Sequence, residues 1–261
     1  MDLTASLLSA NTFKRDRKIV WSVIVVLSLL SRLFIFSEAR GMNKGIALCC
    51  ITKLYAWTPR DFFFTFLMWV VMMMAMMIPS ASPMILMFTS VNHKRREKEN
   101  HFVPTWIFLF GYIAVWTGFS VAATFTQWYL HKKALLSPMM VTTSPIFGGI
   151  LLIAAGIFQL TPLKNRCLSF CQNPFGFLMK DWREGKWGAL LMGLKHGVFC
   201  TGCCWALMIL LFVMGVMNIF WIGVISILVL LEKISPKDWP SSHISGILLI
   251  LWGVLMAAGR L

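Results

Sequence analysis

The stretch 195–205 reads KHGVFCTGCCW and sets His196, Cys200, Cys203 and Cys204 inside an apolar run. Successive residues on a helix turn by about 100°, and side chains three or four apart meet on one face. His196 and Cys200 stand four apart, and Cys200 and Cys203 three apart. The spacing therefore predicts an imidazole and three thiols within an arc of roughly 100°. Thiolates with an imidazole suit a soft metal ion. Two blander outcomes compete. Free cysteine packs as a small apolar residue, and neighbouring thiols can serve redox exchange. A histidine at membrane depth is costly and normally functional or paired, which favours the metal. The pattern H-x3-C-x2-C-C lacks the paired C-x2-C spacing of a structural zinc site, so zinc is the poorer match.

A second source of sulfur lies upstream. MWVVMMMAMMIPSASPMILMF (68–88) holds eight methionines. Thioethers suit Cu(I), although flexible packing accounts for most such side chains. Met72, Met73, Met76 and Met77 on this segment, with Met208 beside the cysteines, are the second-rank ligand candidates. Soft sulfur from two segments points to Cu(I). Pro79 and Pro83 predict a break or kink here, with Ser80 or Ser82 satisfying the freed carbonyls.

The elements that must position these residues are membrane helices. Of the 261 residues, 58% are hydrophobic and 13% charged, against roughly 25% charged in a soluble domain. The apolar runs do not alternate as barrel strands do, and several reach the ~20 residues that cross a bilayer as helix. Seven spans are expected, at about 19–36, 62–88, 104–129, 146–163, within 188–216, 219–232 and 243–259. The chain thus reads as an all-α polytopic bundle: a cytoplasmic segment 1–18, then one transmembrane helical domain 19–261. With the N-terminus cytoplasmic, 15 of the 24 Lys and Arg fall in inner segments and 7 in outer ones, as the positive-inside rule requires. The net charge of +14 then reflects topology, not nucleic-acid binding.

Gly188–Asn218 would run about 46 Å as one helix, longer than a bilayer core of about 30 Å. A break or tilt is expected, with 188–196 at the inner interface. The segment 163–187 reads as an inner-leaflet surface stretch. Its Cys167 and Cys171 could pass metal to the cluster or remain free thiols. In a thiol-redox reading, Lys195 and His196 could lower the pKa of a cluster thiol. Glu232-Lys233 reads as an interfacial pair, and Thr58-Pro59-Arg60-Asp61 as a helix start. Cys49 and Cys50 receive no role. No phosphate loop, dinucleotide fingerprint or serine nucleophile elbow is present.

Four blocks carry a resemblance: MWVVMMMAMMIPSASPM (68–84), SPIFGGILLIAAGIFQLTPLKNRCLSFCQNP (144–174), MGLKHGVFCTGCCWALM (192–208) and GVMNIFWIGVISILVLLEKISP (215–236). The chain resembles the bacterial predicted metal-binding integral membrane proteins, a family of unknown function. The resemblance implies a multi-pass protein of the bacterial inner membrane. The expectation is a non-enzymatic copper-handling protein embedded in the lipid bilayer, or an accessory or assembly subunit of a membrane copper enzyme. The rivals are a membrane thiol–disulfide oxidoreductase and a structural subunit of a membrane complex.

Overall fold

A computed structural model describes residues 57–99, 103–133, 135, 142, 144–216, 218–235 and 240–259. The expected first span, the cytoplasmic segment 1–18 and Cys49 and Cys50 lie outside the described residues. Helices account for nearly all of the rest: α1 (Pro59–Glu99), α2 (Thr105–Lys132), α3 (Pro145–Leu160), α4 (Pro162–Gln172), α5 (Pro174–Asp181), α6 (Gly185–Ile209), the single turn α7 (Leu211–Met214), α8 (Ile219–Ile234) and α9 (Ser241–Ala257).

Four helices start by one device, a capping side chain followed by proline. At α1, Thr58 and Asp61 cap one another: Thr58 N donates to Asp61 Oδ2 at 2.9 Å and Asp61 N to Thr58 Oγ1 at 3.4 Å. Ser144, Thr161 and Asn173 accept from backbone N–H groups of α3, α4 and α5. Proline suits the first helical turn because its missing donor is one the helix cannot use there.

The prolines inside α1 do not end it. Pro83 cannot donate to the carbonyl of Pro79, and Ser82 Oγ takes that place at 2.8 Å. Ser80 Oγ and Tyr112 Oη both donate to the Met77 carbonyl, at 2.9 and 3.1 Å. The expected rescue by serine therefore operates, and the helix continues through the segment.

Among the described residues, three elements are long and apolar enough to cross a membrane: Pro59–Asn92, Thr105–Lys132 and Gly185–Met214. A fourth arises if α3 and α4, bent by 65° at Thr161, form one broken span. Among the described residues, where six of the seven expected spans fall, three or four such spans are found. The expected sixth and seventh spans are helices of 16 and 17 residues, shorter than a usual span. Of the break or tilt expected in Gly188–Asn218, no break falls at the glycines of α6. α6 runs unbroken from Gly185 to Ile209, and the irregularity falls at Leu210. Glycines in this helix serve contact with its neighbour, not a bend. A Cβ on Gly197 would meet the Val115 side chain of α2 at 2.9 Å. The segment 163–187 folds into α4, α5 and the start of α6; one face of α4 (Lys164, Leu168 and Cys171) is buried, while Leu163, Phe175, Met179 and Trp187 are exposed.

Small residues let two helix pairs approach closely, as in membrane bundles. Between α2 and α6, a Cβ on Gly111 would lie 2.5 Å from the Leu190 carbonyl oxygen. Between α3 and α9, a Cβ on Gly156 would lie 2.7 Å from the Gly246 carbonyl oxygen. The methionine face of α1 supplies much of the core: Met68, Met72, Met73, Met76, Met77 and Met84 are all buried. Large apolar side chains such as Phe110, Phe125, Ile150, Leu248 and Leu251 face outward.

Candidate metal centre

The cluster begins on α6. Its helical turn brings His196, Cys200, Cys203 and Cys204 to one buried face, each at most 2% exposed. The Cys203 and Cys204 thiols turn back on their own helix and donate to the Cys200 carbonyl, at 3.1 and 2.8 Å. All three cysteines are free thiols, as are Cys167 and Cys171.

Four other helices meet this face. From α4, the buried Cys171 thiol comes within hydrogen-bond reach of Cys200 and Cys203. From α1, Met77 Sδ lies 3.9 Å from Cys204 Sγ. From α2, Tyr112 Oη lies 3.2 Å from Cys200 Sγ. From α8, Lys233 Nζ donates to Cys200 Sγ at 3.0 Å and to Ser80 Oγ at 2.8 Å. The centre is therefore a sulfur pocket with an amine and a phenol on Cys200.

His196 stands at its edge. Its ring lies nearly parallel to those of Tyr112 and Phe108, with centroids 5.5 and 6.1 Å away. Phe177 meets it edge-on at 5.9 Å. Neither ring nitrogen has a hydrogen-bond partner. A buried polar group without a partner is costly and calls for an explanation such as an absent ion. An imidazole beside four thiols and a thioether is a donor set for a soft cation. Among the described residues, no three His, Cys, Asp or Glu side chains stand as a ready-made cage. The thiol directions give a physical reason: Cys203 and Cys204 point at a carbonyl and must turn before their sulfurs converge on one ion.

The methionine candidates divide. Among the described residues, Met77 is the one whose sulfur comes within hydrogen-bond reach of a thiol. Met72, Met73, Met76 and Met208 are fully buried apolar side chains of the core.

Three charges sit elsewhere than expected. Glu232 and Lys233 do not form an interfacial pair; both are buried, on different sides of α8. Glu232 accepts from Lys164 Nζ at 2.6 Å, Ser245 Oγ at 2.9 Å and Gln159 Nε2 at 3.1 Å. Adjacent residues on a helix diverge by about 100°, so one of such a pair can serve each neighbour. Lys195 is not at the thiols. It pairs with Asp181 at 2.6 Å on the surface, and Lys233 is the cation on Cys200. Tyr112 and Lys233 carried no local signal of belonging to a sulfur site.

No curated protein and no solved structure matches the chain. The family model for PpoB2, a copper chaperone, matches residues 66–256. Its description is narrower than the general metal-binding label that the sequence blocks suggest. The match takes in every residue that meets the sulfur cluster, and the chain belongs to this copper-chaperone family.

Proposed function

We propose that the protein is a multi-pass membrane protein that holds Cu(I) as cargo between α1, α4 and α6. Cys200, Cys203 and Cys204 are its principal ligands. Cys171, His196 and Met77 complete the donor set. The observation that supports this reading is that four buried thiols and a thioether, from three helices, lie side by side in the core. A soft monovalent ion is well served by two or three such donors, whereas Mg²⁺ or Ca²⁺ would demand oxygen. Burial protects the ion from oxidation and from stray chelators. The role is copper handling, with delivery to a copper enzyme of the bacterial inner membrane as an accessory or assembly factor. The N-terminus is cytoplasmic in this reading, following the Lys and Arg bias.

The test is purification in detergent under reducing, anaerobic conditions, with bound metals measured by mass spectrometry. A variant with Cys200, Cys203 and Cys204 changed to serine runs beside it. Near-stoichiometric copper that disappears in the variant supports the reading. No copper in either protein after loading removes it. One observation favours a second reading, the closeness of Cys171 to Cys200 and Cys203. Loss of two hydrogens to a quinone would join such a pair as a disulfide. Intact mass two hydrogens lighter after quinone treatment, with no metal bound, would favour that thiol chemistry.

A further inference from the structure

The buried pocket poses a transfer problem. Cys200, Cys203 and Cys204 are closed off from solvent, yet a cargo ion must reach them and leave. Ligand exchange at Cu(I) proceeds by an incoming sulfur binding before the outgoing one departs, so a path needs sulfurs spaced within a step of each other.

One further thiol meets that need. Cys167 stands one helical turn before Cys171 on α4 and is only half-buried. Its neighbours Asn165 and Arg166 are exposed, while Lys164 and Leu168 are buried. Cys167 thus occupies the border between the exposed and buried faces of α4. Its thiol rests against Gly202 of α6, where an added Cβ would lie 3.1 Å from Cys167 Sγ. The next residue on α6 is Cys203. The absence of a side chain at Gly202 therefore lets the Cys167 sulfur pack against α6 one residue before the ligand candidate Cys203.

The geometry points to Cys167 as a handover thiol, a transient ligand through which Cu(I) passes between the buried sulfurs and a thiol donor or acceptor in water. This rests on the copper reading above. In the inward step a Cu–S bond to the outside thiol breaks as the bond to Cys167 forms. The proton of Cys167 goes to the departing thiolate. The ion then moves to Cys203 or Cys171, and their proton returns to Cys167. No electron changes hands. The exposed guanidinium of Arg166 next in sequence favours an anionic donor such as a Cu(I)–glutathione complex.

The experiment compares wild type with Cys167→Ser in detergent, both loaded with Cu(I). Release to the Cu(I) chelator bathocuproine disulfonate and loading from Cu(I)–glutathione are followed by absorbance. Cys167→Ser is expected to slow both directions by at least about tenfold, since a tethered thiol offers a millimolar effective concentration. Stoichiometry and the final partition of copper should stay at wild-type values. Gly202→Ala keeps every cysteine but crowds the Cys167 sulfur, and it should slow exchange in the same way. It decides the matter if the serine variant does not fold. Wild-type rates in both variants overturn the inference. So does a fall in equilibrium affinity without a change in exchange rate, which would make Cys167 a resident ligand. Wild type that takes up no Cu(I) removes the copper reading itself and is a separate outcome.

Discussion

The contact between α2 and α6 fixes the geometry of the sulfur pocket, and Gly111→Ala tests it. A Cβ at Gly111 would sit 2.5 Å from Leu190 O and 2.9 Å from Leu194 N, both backbone atoms of α6. Real Cβ atoms do not approach below 3.0 Å, so the helices must separate by about 0.5 Å or more. Backbone cannot swing aside as a flexible side chain can, and overpacking of this kind costs about 1–3 kcal/mol. The backbone obstacle places Gly111→Ala in the upper part of that range, at about 2–3 kcal/mol. Gly118, seven residues on in the same helix, has open space around its Cβ position. Both changes gain the same helix propensity, up to about 1 kcal/mol, so the difference between them isolates the clash. For a chain of this size about 2–4 °C corresponds to 1 kcal/mol. Gly111→Ala should therefore melt about 4–12 °C below Gly118→Ala, read by tryptophan fluorescence in detergent. Because Tyr112 is the next residue and its hydroxyl lies 3.2 Å from Cys200 Sγ, Gly111→Ala should also weaken Cu(I) retention. Equal melting temperatures for the two variants would refute the close approach of α2 and α6.

Three more outcomes follow from named contacts. Glu232→Gln leaves the buried Lys164 ammonium without its carboxylate and should cost about 3–5 kcal/mol; the double variant Lys164→Met/Glu232→Leu should recover much of that, and a double-mutant cycle showing additive losses would contradict a buried pair. Ser82→Ala leaves the Pro79 carbonyl without the hydroxyl that replaces the missing donor of Pro83 and should cost about 1–3 kcal/mol; unchanged unfolding in detergent would show that water or another group serves there. Met77→Leu conserves volume and should leave the melting temperature nearly unchanged while lowering Cu(I) affinity in chelator competition, whereas Met73→Leu should alter neither.

What was legible in the sequence follows the range of the interaction. The start of α1 at Thr58-Pro59 is read from its local residues, and Ser144, Thr161 and Asn173 use the same device, a cap within three residues followed by proline, which is not read there. The face of His196, Cys200, Cys203 and Cys204 depends only on the turn of one helix, and it is intact. The rest of the pocket depends on how helices rotate against one another. Met77 meets Cys204 across 127 residues, Tyr112 meets Cys200 across 88, and Lys233 meets Cys200 across 33. No periodicity within α1 distinguishes Met77 from Met73 or Met76, because all three are buried equally well. The misreading of Glu232 and Lys233 is different in kind. A carboxylate and an ammonium side by side invite pairing, but helix geometry sends neighbours to different faces. In an apolar bundle each then requires its own partner. Glu232 finds Lys164 on α4, and Lys233 finds Cys200 on α6. The same helix α8 thus ties both partners of the pocket in place: the α4 that brings Cys171, and the α6 that carries the other thiols. Two adjacent charges in a short apolar helix are better read as two separate buried anchors than as one pair, and the second anchor here leads directly to the sulfur of Cys200.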